Sequence, residues 1–174
     1  PTCGFKTDKP LFIKNSGKDC YCPYCNHIYL SNPLVDNKLI DFYSNYPTSS
    51  LEWHQNESDF YSKIYQQGLS MISACGSYSS ILDIGCSSGY FLSLSSKSGF
   101  LSYGLEPNHL EKNYAVNNGV SILGSTINDL SNQKFDVITL WDVLEHIKNP
   151  VSYLSRLRSF LNPDGIIFLQ VPTS

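Results

Sequence analysis

The sequence predicts an α/β protein: a doubly wound, mostly parallel sheet preceded by a small cysteine-rich module. Short apolar runs such as Ile81-Leu82-Asp83-Ile84 and Phe135-Asp136-Val137-Ile138-Thr139-Leu140 alternate with segments of helical pattern, the β-α-β-α order of a doubly wound sheet. The second run carries apolar residues at consecutive positions, as a parallel strand covered on both faces does. Four of the six cysteines lie within residues 1–25, ahead of this alternation.

Taken in order, residues 1–33 form the cysteine-rich module. Cys22-Pro23-Tyr24-Cys25 is a Cys-x-x-Cys pair on a turn, and Pro1-Thr2-Cys3-Gly4 reads as the back half of a second pair. Two such pairs about 15–20 residues apart have the spacing of a four-cysteine zinc site. Soft thiolates suit Zn2+, and so short a stretch needs metal to supply folding free energy. Cys3, Cys22 and Cys25 are the expected ligands. The fourth is an upstream cysteine, Cys20 or His27, and a disulfide cluster or plain reduced thiols are the alternatives. Residues 34–57 read as a linker whose aromatics, Phe42, Tyr43, Tyr46 and Trp53, either pack over the following domain, the commoner role, or line the ligand site.

The main domain spans 58–174. A helix is expected from Ser58 to about Ala74, with Phe60, Ile64, Leu69, Met71 and Ile72 as its apolar face. Strands follow at Ser80–Ile84, Leu101–Glu106, Val120–Leu123, Phe135–Leu140 and Gly165–Val171. Helices are expected at Tyr90–Ser98, Asn108–Asn118 and Asn149–Leu161, the last with Asn at its N-cap and Pro150 at its first position. Residues 125–131 form a loop or short helix.

The chemistry concentrates after the first of these strands. Gly85 and Gly89 bracket two serines, so the backbone passes close to a ligand with exposed amides. Asp83 is an acid at the end of a buried strand, a costly placement without a donor or cation. Glu106 ends the next strand 23 positions later, the separation at which an acid grips ribose hydroxyls. The Gly-x-x-x-Gly spacing is not the dinucleotide fingerprint.

Leu82-Asp83-Ile84-Gly85-Cys86-Ser87-Ser88-Gly89 resembles the first motif of class I S-adenosylmethionine (SAM)-dependent methyltransferases, with Ser87 where the middle glycine commonly sits. Tyr103-Gly104-Leu105-Glu106-Pro107, Phe135 through Ile147 and Leu161 through Leu169 resemble that family's second, fourth and fifth strands. The resemblance implies a Rossmann-like methyltransferase fold cut after its fifth strand, where two further strands usually follow. It implies that Asp83, Gly85, Cys86, Ser87 and Gly89 cradle the methionine portion of SAM, and that Glu106 and Pro107 bind at the ribose. Asp129, with Asn128 as rival, would contact the adenine. Leu140, Trp141 and Asp142 would border the methyl group, with Trp141 either facing the sulfonium or serving as core. His146 is the candidate base for an acceptor that must lose a proton. A cysteine-rich module ahead of such a domain resembles bacterial sugar and natural-product methyltransferases, which implies a small-molecule acceptor.

Composition narrows the classes. Net charge is −3 and the isoelectric point about 5.7, which disfavours a nucleic-acid surface. No apolar run approaches the ~18 residues of a membrane span, so a cytoplasmic enzyme without a membrane partner is expected. Both ends look cut, so a targeting signal before residue 1 is not readable. The competing functions are a nicotinamide-dependent Rossmann oxidoreductase, and a zinc module on a domain that binds SAM or a partner without turnover.

Overall fold

The computed structural model describes residues 3–7, 9–14, 17–33, 36–44 and 58–172. The chain divides into two units, Pro1–Leu39 and Ile40–Ser174. In the first, β1 (Phe12–Lys14), β2 (Gly17–Tyr21) and β3 (Ile28–Leu30) form an antiparallel sheet in that order. The β2–β3 turn closes with the Cys22 amide donating to the His27 carbonyl at 2.8 Å. Asn26 in that turn takes a left-handed φ of 56°, a conformation asparagine tolerates. Cys20 and Cys22 are buried, whereas Leu11, Phe12, Ile13, Ile28 and Leu30 are exposed. Apolar burial alone is thin support for so small a unit.

Helix α1 (Asp36–Ser44) occupies part of the stretch read as linker. Tyr46 and Trp53 lie outside the described residues.

The second unit is built on five parallel strands: β4 (Ser80–Ile84), β5 (Leu101–Leu105), β6 (Ser121–Gly124), β7 (Phe135–Trp141) and β8 (Leu161–Gln170). Their order is β6-β5-β4-β7-β8. The direction of winding reverses between β4 and β7, which makes the crevice at the carboxyl ends of these strands the expected ligand site. Two apolar clusters cover the sheet. On one face α2 (Ser58–Cys75) and α3 (Tyr90–Lys97) bring Tyr65, Leu69, Ile72, Phe91 and Leu92 onto Ile81 and Val137. On the other, α5 (Pro150–Arg158) brings Leu157 to Leu82, Ile84, Ile138 and Leu140. Helix α4 (His109–Asn117) is capped by Asn108, whose Oδ1 accepts from the Leu110 and Glu111 amides.

Two expectations need correction. The buried face of α2 is Tyr65, Leu69 and Ile72, with Tyr61 and Ile64 partly buried beside them; Phe60 and Met71 are exposed. The fifth strand begins at Leu161, not Gly165, because Leu161 already pairs with Phe135. Two steps along β7 then face five along β8, so Asn162-Pro163-Asp164-Gly165 is an irregularity within the strand. No helix among the described residues is long and apolar enough to cross a membrane.

Candidate functional site

The crevice starts from a backbone constraint. After β4, Gly85 turns at φ 69° and a Cβ there would stand 2.9 Å from Val143. Gly89, at φ 77°, has Val120 2.6 Å from where its Cβ would be. Ser87 lies between them at φ 50°, in the left-handed region that glycine enters freely and serine does not. Leu105 O accepts from the Gly85 and Cys86 amides at 2.8 and 3.1 Å, which ties the loop to β5. Cys86 is buried against Gly104, where any Cβ would lie 2.5 Å from its sulfur. It is a packing residue.

Asp83 and Glu106 flank this loop. Asp83 is 2% exposed and paired in register with Gly104 on β5 and Thr139 on β7. The Thr139 hydroxyl donates to Asp83 Oδ1 at 2.6 Å. Burial pushes the Asp83 carboxyl up to about 8, against the pull of that hydrogen bond and with the added push of Glu106. Glu106 is 5% exposed. Its Oε2 accepts from the Ser87 amide at 2.8 Å and its Oε1 from the Asn108 amide at 2.7 Å. Burial raises it to about 7 although both amides oppose the shift. Among the described residues, neither acid has an ion-pair partner. Glu106 feels the charge of Lys112, whereas no cation among the described residues acts on Asp83; a buried acid so placed fits a site that receives a cation.

The other expected residues fall at the same carboxyl edge, with differing surroundings. Pro107 links Glu106 to the cap residue Asn108. The Asp129 carboxylate accepts the Ser125 and Thr126 amides at 2.7 and 2.8 Å, bonds that hold it below its ordinary pKa. Asn128 is exposed in that turn. Leu140 is buried on the far face of the sheet. The Trp141 ring is wedged among Tyr65, Phe91 and Phe168, at centroid distances of 4.8, 5.1 and 5.3 Å. A Cβ on Gly68 would stand 2.4 Å from it. Trp141 is half-buried, packed against this cluster, and its Nε1 is buried with no partner among the described residues. Asp142 is exposed, at φ 53°, and accepts from Gln170 at 3.0 Å. His146 ends a 3-10 turn (Leu144–His146) with its side chain 50% exposed, 3.7 Å from Glu145 and edge-on to Tyr43 at 5.6 Å.

Thr139 and Tyr65 escaped sequence reasoning. A threonine inside a strand is an ordinary β-former. Tyr65 could have been found from its 61-65-69-72 spacing, had tyrosine been counted as apolar. Its hydroxyl stays protonated, raised by burial and by the charge of Asp83.

A second cluster lies in the first unit. The sulfurs of Cys3, Cys22 and Cys25 are within 4.8 Å of one another, with Cys3 and Cys22 at 3.4 Å. A tetrahedral ion with Zn–S near 2.3 Å would hold such atoms about 3.8 Å apart. Burial opposes ionisation of Cys22, but the Cys25 and Tyr24 amides and the neighbouring thiols lower it to about 7. Neither Cys20 nor His27 joins this cluster.

The Methyltransferase domain family matches residues 53–174. The chain belongs to this family. Two ubiquinone biosynthesis O-methyltransferases are similar to it: that of Haemophilus ducreyi is 32% identical over 102 residues, and that of Actinobacillus pleuropneumoniae serotype 5b is 35% identical over 101. Each alignment takes in 51% of this methyltransferase-family chain and 43% of the relative, so the chain spans less than half of their length. Among solved structures, plantazolicin methyltransferase BpumL in complex with SAH has a TM-score of 0.58 at 22% identity, over 75% of this chain and 56% of that one. A SAM-dependent methyltransferase of Leishmania major has a TM-score of 0.62 at 14% identity, over 76% and 59%. At these identities the likeness establishes the fold, a Rossmann-like methyltransferase sheet. The oxidoreductase alternative is not favoured, since the matched family and the named relatives are methyltransferases.

Proposed function

We propose that this chain is the SAM-binding part of a methyltransferase acting on a small-molecule acceptor. The observation that carries the reading is the pair of buried acids, Asp83 and Glu106, neither with an ion-pair partner among the described residues, on adjacent strands beside the glycine loop. Asp83 would hold the ammonium of the methionine portion. The free lone pairs of Glu106 would accept the ribose hydroxyls while its amide bonds keep the loop in place. The loop of Gly85, Cys86, Ser87 and Gly89 would line the methionine side, with Pro107 at the ribose. Asn128 and Asp129 would lie at the adenine edge, and Leu140, Trp141 and Asp142 at the methyl end. SAM, when bound, supplies an electrophilic methyl group. The residues contribute orientation and exclusion of water, from which much of the acceleration of such a displacement can come.

An oxygen acceptor is favoured by the O-methyltransferase relatives. His146 would then take the hydroxyl proton, with Glu145 beside it to stabilise the imidazolium. The cytoplasm suits the reading, because reduced thiols persist there. In isothermal titration calorimetry the chain should bind SAM and SAH but not NAD, and Asp83→Ala should weaken both sulfur ligands at least tenfold. Binding of NAD alone would overturn the assignment.

The first unit we assign as a structural zinc module, held by Cys3, Cys22, Cys25 and one further donor other than Cys20 or His27. Metal analysis should find about one zinc per chain, and Cys22→Ser should abolish it. A stably folded, metal-free first unit would refute the assignment.

A further inference from the structure

We infer that Thr139 is a positioning residue for the cofactor's aminoacyl end, acting through Asp83; this rests on the SAM-binding reading of the crevice. Thr139 and Asp83 face each other across the β4–β7 pair, at the point where the winding reverses. Both are buried, and the hydroxyl donates to Oδ1 at 2.6 Å. Among the described residues Oδ2 accepts no hydrogen bond, so the carboxylate is gripped by one oxygen and offers the other. Without that grip an aspartate at a strand end would be free to rotate about χ2, whose wells are broad.

The bond also sets the protonation state. The groups facing Asp83 are Glu106 after β5, Tyr65 from α2 and Cys86 from the loop. None is a cation, and the charge of Glu106 disfavours a charged Asp83. The Thr139 hydroxyl is the one interaction that favours the charged form, which a ligand ammonium requires. A side chain of the same shape without the hydroxyl leaves the packing and removes this effect. Serine keeps the hydroxyl and loses a methyl group.

The test is calorimetric titration of the full chain with SAM and SAH from pH 6 to pH 9. Thr139→Val should weaken both ligands about tenfold at pH 7, as expected for loss of a hydrogen bond to a charged group. It should also move the pH midpoint of binding upward by about one unit, while Thr139→Ser stays within about threefold of wild type at the original midpoint. In the Asp83→Asn background, with binding weakened but still measurable, Thr139→Val should cost almost nothing further in affinity, a coupling that a general loss of fold would not produce. If Asp83→Asn weakens binding tenfold or more but Thr139→Val leaves affinity and midpoint unchanged, the positioning role is wrong and the SAM reading survives. If wild type binds neither ligand, the SAM reading falls and this inference with it.

Discussion

Ser87 is the residue where family pattern and backbone geometry meet. At φ 50° it occupies the left-handed region, where a side chain costs roughly 1–2 kcal/mol. Its amide clamps Glu106, and a glycine would keep that amide. Ser87→Gly should therefore stabilise the ligand-free protein by about 0.5–1 kcal/mol, after allowing for the added freedom of glycine in the unfolded chain. That is about 1–4 °C in the thermal midpoint for a chain of this size. A lower midpoint by scanning calorimetry would mean the buried hydroxyl has a stabilising partner. Asp83 and Glu106 were legible in the sequence because acids beside apolar strands contradict their surroundings. Thr139 was not, since its importance comes from a neighbour 56 positions away. Asp129 was legible as an acid in a loop, but the amides that occupy its carboxylate depend on a turn that only coordinates define.

At the scale of elements, the five parallel strands followed from alternation and caps, and errors arose where a side chain's class was ambiguous. Helix α2 turns tyrosines inward, where Tyr65 meets Tyr90, Phe91 and Trp141; amphipathic rings do not declare their face in a hydropathy pattern. The Pro-Asp-Gly of β8 signals a turn, and it is absorbed as an irregularity because Leu161 and Ile166 both pair with β7. The amino ends of the strands are fastened by Asp136. Its Oδ2 accepts from the amides and hydroxyls of Ser79 and Ser80 at 2.8 to 3.0 Å, and its Oδ1 from Asn162 at 2.6 Å. One carboxylate thus ties β4, β7 and β8 at the end opposite the crevice. No local pattern reveals such bonds, because the partners lie at two other strands, β4 and β8.

For the whole molecule, the two ends of the sheet respond oppositely to pH. Asp136, though partly desolvated, is held well below the usual carboxylate range by its donors. Its contribution is present above pH 4 and is lost as pH falls. Asp83 and Glu106 have folded pKa values of about 8 and about 7, against roughly 4 when unfolded. Between pH 4 and 8 the folded chain therefore holds more protons at these sites than the unfolded chain, and stability declines as pH rises, by at most about 1.4 kcal/mol per pH unit per group. The ligand-free thermal midpoint should be highest near pH 4 and fall as the pH rises toward 8, above which the two acids add no further slope. Asp83→Asn should flatten the alkaline side and leave the acid side intact. Saturating SAM should offset the alkaline fall, because a cation beside Asp83 stabilises its charged form, and binding at pH 7 should release protons detectable by calorimetry in buffers of different ionisation enthalpy. A midpoint that rises steadily from pH 5 to pH 9 without ligand would mean that the two acids are already matched by positive charge, and the crevice would lose its claim on a cationic cofactor.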